Sequence, residues 1–116
     1  MNWNAIFHQY EDTIKVGNAK ARLVFIPEGG SLDVSPQERY FKHLKLESLV
    51  SEAKQYVVKN LNHLEGERIF FEDLKLSVIE IPASIQVNIW FCCKKLKGCV
   101  VVRYDSDRFI DYNIVG

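Results

Sequence analysis

The chain of 116 residues carries 15 basic and 15 acidic side chains, so its formal charge is zero with histidine neutral. With 47% hydrophobic residues, this composition excludes a disordered chain, which combines low hydrophobicity with high net charge. The length fits one domain of the usual roughly 100–150 residues, no apolar run approaches the roughly 18 residues of a membrane span, and balanced charge argues against a dedicated nucleic-acid binder.

Met1, Asn2, Trp3 and Asn4 form neither the basic head nor the apolar stretch of a secretory signal, so the expected compartment is the cytoplasm. Trp3, Ile6, Phe7 and Tyr10 follow at i, i+3, i+4 and i+7, a spacing that predicts a short helix capped by Asn2. The alternative is a first strand with a few buried aromatics. Residues 13–16 and 21–26 are β-rich and flank Gly17 and Asn18, which predicts a hairpin. Pro27, Gly29 and Gly30 should end the second strand. Gly29, Gly30 and Ser31 lack the Gly-Lys-Ser/Thr ending of a P-loop and the three spaced glycines of a dinucleotide loop, and read as a plain loop.

Ser35, Pro36 and Glu38 are spaced as a capping box and predict a helix start. A longer helix is predicted over 47–64. There Leu49, Val50, Ala53, Tyr56, Val57, Leu61 and Leu64 share one face, and Gly66 stands where a C-terminal cap belongs. From Arg68 onward the period becomes two, with strands predicted at 68–71, 74–81, 85–94, 99–104 and 109–115. Lys97 and Gly98 at the centre of a two-residue hairpin would set Cys93 opposite Val102 and Phe91 opposite Tyr104. The expected fold is one α+β domain over 1–116, an antiparallel sheet of about five to seven strands packed against helices from the N-terminal half.

Three cysteines, Cys92, Cys93 and Cys99, in a chain read as cytoplasmic argue for free thiols. Their spacing is no zinc signature, His8, His43 and His63 lie far from them, and no metal or cofactor is expected. Cys93 reads as a small apolar core residue. Asp105 and Asp107, with Asp111 nearby, could hold magnesium, but Asp-Ser-Asp also makes a hairpin turn through its own backbone, the favoured reading. Lys94, Lys95 and Lys97 read as a solvated hairpin tip. The histidines are the acid–base candidates. His63 would sit at the end of the main helix as a dipole partner, and none of the three stands beside a Ser, Cys or Asp in a recognisable spacing.

Gln86, Asn88, Trp90, Val101 and Arg103 should share the face of the sheet opposite the core. A tryptophan and an arginine on a polar surface are residue types enriched at binding hot spots. The bland reading is that a helix or loop covers Trp90.

In length, in the order of helices at 36–64 followed by the strand run 68–115, and in lacking a catalytic motif, the chain resembles the immunity proteins of bacterial contact-dependent inhibition and other polymorphic toxin systems. Many of those are acidic, whereas this chain is neutral. The resemblance implies a cytoplasmic protein that neutralises a cognate toxin, such as a nuclease, by occlusion. Glu65, Glu67, Glu72, Asp105, Asp107 and Asp111 would meet basic toxin residues, and Trp90 or Tyr112 would anchor. With Asn88 and Arg103 these form the expected protein-binding site. The competing expectations are a small enzyme or ligand-binding domain, for instance a ribonuclease using His and Lys, and a homodimer joined through the 109–115 strand.

Overall fold

A computed structural model describes residues 1–61 and 68–116. The fold is α+β: the described residues form seven strands in sequential order β1-β2-β3-β4-β5-β6-β7, with two helices inserted mid-chain, after the third strand. The strands are β1 (Asn2–Asn4), β2 (Gln9–Val16), β3 (Ala19–Phe25), β4 (Lys75–Ile81), β5 (Val87–Cys93), β6 (Gly98–Asp105) and β7 (Arg108–Val115). The helices are α1 (Ser35–Lys42) and α2 (Leu46–Leu61). Every neighbouring pair is antiparallel except β3 and β4. Parallel neighbours need a long crossover, and α1 and α2 supply it.

The expected N-terminal helix is instead the β1–β2 hairpin. Trp3 pairs directly with Tyr10, their rings 4.7 Å apart. The i, i+7 match that suggested one helical stripe is therefore a cross-strand contact. Asn4 Oδ1 accepts from the backbone N–H of Ile6 and Phe7, closing an Asx turn. Asn2, expected as a cap, pairs with Glu11. Ile6 and Phe7 stand on the turn, 88% and 68% exposed.

The β2–β3 hairpin turns at Gly17 and Asn18 as expected, with Gly17 at φ 61°, the conformation a II′-type turn asks of its first central residue. β3 stops at Phe25, before Pro27. The predicted capping box does not form. Val34 is the N-cap of α1, and the Ser35 backbone N–H and hydroxyl both donate to Asp33 Oδ1, at 2.9 and 2.6 Å. Pro36 does occupy the first turn. α1 is tied to the end of β3 by Gln37, whose buried Nε2 donates to the Ile26 carbonyl at 2.7 Å. Leu49, Val50, Ala53, Val57 and Leu61 of α2 are buried, as the helical spacing requires. Leu64, Gly66, His63, Glu65 and Glu67 lie outside the described residues.

The expected strand at 68–71 is not one. Residues 71–73 form a 3₁₀ turn, and Asp73 Oδ2 accepts from the Phe70 N–H at 2.8 Å. β5 begins at Val87 rather than at residue 85, because Ile85 takes φ 56° and its N–H donates to the Pro82 carbonyl. The β5–β6 connection is also longer than a two-residue turn. A 3₁₀ turn over 94–96 leads to Lys97 at φ 54°, so Cys93 faces Gly98 and Phe91 faces Val100. The expected pairs, Cys93 with Val102 and Phe91 with Tyr104, are displaced by four residues. Because that shift is even, the same side chains still face the core. Ser106 and Asp107, at φ 52° and 63°, make the two-residue turn between β6 and β7, the I′ conformation.

Both helices pack on one face of the sheet. Ala21, Leu23, Phe25, Ile79, Ile81, Val87, Ile89, Phe91, Cys93, Val100 and Val102 meet Val34, Leu49, Val50, Ala53, Val57 and Leu61 in one buried cluster. A bulge leaves Ser77 outside the β4–β5 pairing, which keeps both Leu76 and Ile79 in that core.

Candidate functional site

The second face of the sheet carries no helix among the described residues. At its centre Trp90 of β5 stands between Val78 of β4 and Val101 of β6, all three half-buried. Of the bland expectation, a helix or loop over Trp90, the helix is not found among the described residues. The indole Nε1 is buried without a hydrogen-bond partner among the described residues.

Next to Trp90 along β5, Asn88 donates to Glu80 Oε1 at 2.9 Å and is register-paired with Arg103. Arg103 in turn holds Asp111 of β7 with two hydrogen bonds, Nε to Oδ1 at 3.1 Å and Nη2 to Oδ2 at 2.6 Å. Those bonds, then the charges of Asp111 and Asp105, push the guanidinium above its ordinary range. On the other flank Glu11 of β2 accepts from Asn4, Gln9 and Arg22. The Asn4 bond first, then Arg22, holds its carboxyl below the usual range. The result is an aromatic–aliphatic centre framed by charge pairs.

The expected site is thus split by the sheet. Trp90, Asn88, Arg103 and Asp111 come together on the open face, and Asp105 lies close enough to act on Arg103. Tyr112 and Asp107 do not join them. Tyr112 packs against Tyr56 of α2, rings 6.3 Å apart, on the covered side. Asp107 borders a cleft beside the helices. Glu11, Arg22 and Glu80 belong to the open face but were not among the expected residues. Their only signal is alternation along β2, β3 and β4, and assigning it to a face needs the parallel β3–β4 register.

Asp107 shares its cleft, of about 270 Å³, with His43, Lys45, Ser48, Glu52 and Tyr104. Burial first, then the charges of Asp107 and Glu52, pushes the Tyr104 hydroxyl up. No hydrogen bond or ion pair joins His43, Glu52 and Asp107 among the described residues. His8 sits elsewhere, at the β1–β2 turn, 5.1 Å from the Trp3 ring. No group of three or more metal-ligating side chains forms among the described residues; Asp105 ends β6 and Asp107 lies within the hairpin turn that follows. Of the lysine cluster, Lys95 reaches back to the Arg68 carbonyl, to Asp73 at 3.0 Å and over the Phe70 ring.

Comparison with protein-family models, with curated proteins and with solved structures finds no match. No helix of the described residues is long and apolar enough to cross a membrane.

Proposed function

We propose that this chain is a small cytoplasmic binding protein of the immunity type, which neutralises a cognate protein toxin by laying its open sheet face over the toxin's working surface. The position of Trp90 carries the reading. It is a half-buried indole on a face that carries no helix among the described residues, ringed by Arg103–Asp111 on one side and Arg22–Glu11 on the other. Tryptophan and arginine dominate interface energetics, and a ring of polar contacts excludes water around them. Asn88, Arg103, Asp105 and Asp111 would fix register against a basic partner surface, and Trp90 would be the anchor.

The test is co-expression with the product of the neighbouring reading frame. A recovered complex and restored growth are expected, with Trp90→Ala losing both while keeping the wild-type circular dichroism spectrum. No complex and no rescue would overturn the reading.

One observation favours a second reading, a small enzyme. His43 and Lys45, residue types suited to ribonuclease chemistry, line the cleft that also holds Glu52 and Asp107. It ranks second because no hydrogen bond orients the imidazole against either acid among the described residues, as a general base requires. Cleavage of RNA by the purified chain, abolished in His43→Ala, would promote it.

A further inference from the structure

Strand alternation sorts the three cysteines. Cys93 points into the core and is 2% exposed, whereas Cys92 and Cys99 lie on the open face, the first exposed and the second half-buried. Cys92 and Cys99 are direct cross-strand partners in the β5–β6 ladder, and their sulfurs are 3.8 Å apart. Directly opposed residues of an antiparallel pair have Cα atoms about 4.5–5.5 Å apart, inside the range a disulfide accepts. Bonding these sulfurs needs side-chain rotation and a short approach, with no change of register.

We propose that Cys92 and Cys99 form a reversible dithiol–disulfide site, oxidised by a small anionic disulfide of the glutathione class. Cys92 borders a cleft of about 230 Å³ that also presents Lys75, Lys94, Lys95, Glu72 and Asp73. Lys75 is the register partner of Cys92 on its other side, so Cys92 stands between an ammonium group and a thiol. A disulfide bearing carboxylates meets lysines as it approaches the exposed sulfur.

The order of attack follows from the two environments. Burial, then the hydrogen bond and charge of Cys92, pushes the Cys99 thiol up. Cys92 is also the exposed sulfur of the two, so it meets the small disulfide first. The Cys92 thiolate attacks one sulfur of the small disulfide, the S–S bond breaks, and one thiolate leaves and takes up a proton. A mixed disulfide remains on Cys92. Cys99 then gives up its proton and attacks the Cys92 sulfur, expelling the second small thiol. Two protein thiols are oxidised and one small disulfide is reduced to two thiols.

This site is independent of the docking reading, because its test reads thiols on the free protein. The whole chain is equilibrated in glutathione buffers of stepped oxidised-to-reduced ratio, acid-quenched, denatured and labelled with a mass-tagged maleimide. Tags are expected to fall from three to one in a single step, since Cys93 is the thiol left over. Lys94, Lys95 and Lys97 let trypsin separate the two sides, and fragmentation of the linked peptides should join Cys92 to Cys99. Cys93→Ala should still lose two thiols together. Cys99→Ser should stop at a glutathione adduct on Cys92. Three tags retained under conditions that oxidise a glutaredoxin would overturn the proposal. So would a link through Cys93, dimers joined between chains, or a wild-type adduct that never closes.

Discussion

Arg103 and Asp111 face each other across β6 and β7 and are joined by two hydrogen bonds, guanidinium to carboxylate, with both side chains more than two-fifths exposed. Exposed pairs contribute little to stability because water and salt screen them and two side chains must be held in one geometry. Arg103→Ala should therefore leave the urea midpoint near wild type. The same change should weaken capture of the proposed partner, since it removes a rim charge next to Trp90. Exchanging the charges, with Arg103→Asp and Asp111→Arg, should restore the pair in the free protein without restoring capture. Binding measured by calorimetry beside urea unfolding separates the two roles, and an unchanged affinity in Arg103→Ala would remove Arg103 from the interface.

Gln37 is 2% exposed and sends its amide to the Ile26 carbonyl. Losing the donor of this part-buried hydrogen bond costs up to about 1–3 kcal/mol. Gln37→Leu should lower stability by about that amount although it adds apolar volume. Gln37→Glu should do worse at neutral pH, where a buried carboxylate would face a carbonyl oxygen. It should recover as pH falls, because the protonated acid again donates. Urea unfolding at two pH values tests this, and a Gln37→Glu curve parallel to wild type would contradict it.

How far residues announce their place depends on whether neighbours or partners decide it. Val87, Ile89, Phe91 and Cys93 alternate within one strand, so their common face was legible without any knowledge of the sheet. The helical face of Leu49, Val50, Ala53 and Val57 was legible for the same reason. Trp3 and Tyr10 were misread because seven positions separate them both along a helix face and across a four-residue turn, and only pairing distinguishes the two. Tyr112 was expected as an anchor only from the resemblance, and alternation already sets it on the face opposite its neighbour Asp111. A bulge leaves Ile110 unpaired, so Phe109 and Tyr112, three apart, both reach Tyr56 on the helix side. No alternation rule puts an odd and an even residue of one strand on the same face. Of the expected site, the Trp90–Asn88–Arg103 group came from alternation within one hairpin. Glu11, Arg22 and Glu80 depend on strands brought alongside by a long crossover, and their face cannot be read locally.

Asp73 accepts from the Phe70 backbone N–H and pairs with Lys95, and the first of these, then the second, holds its carboxyl below the usual range. A carboxyl lowered in the folded state adds stability above its unfolded value and loses it as pH falls through the folded one. Glu11 and Asp33 are shifted in the same direction, mainly by Asn4 and by the Ser35 hydroxyl. The urea midpoint should therefore decline below about pH 4. Asp73→Asn keeps an acceptor for Phe70 but cannot titrate, so its midpoint should fall less steeply over that window. A wild-type midpoint that stays flat to about pH 3 would refute the assignment.

Gly98 opens β6 where the chain end closes over it. A Cβ there would run into the Val115 carbonyl oxygen and lie 2.9 Å from the Gly116 Cα, both backbone atoms. Neither can move without pulling the last residues of β7 away from Cys99, the register partner of Val115. Gly98→Ala should therefore cost about 1–3 kcal/mol, the range for overpacking a tight site. Amide exchange should quicken at Ile114 and Val115 while the β5–β6 ladder keeps its protection. Gly29→Ala is the matched control, since a Cβ there meets nothing within 4 Å. Equal stability of the two variants would mean that the β7 end does not hold against Gly98 in solution.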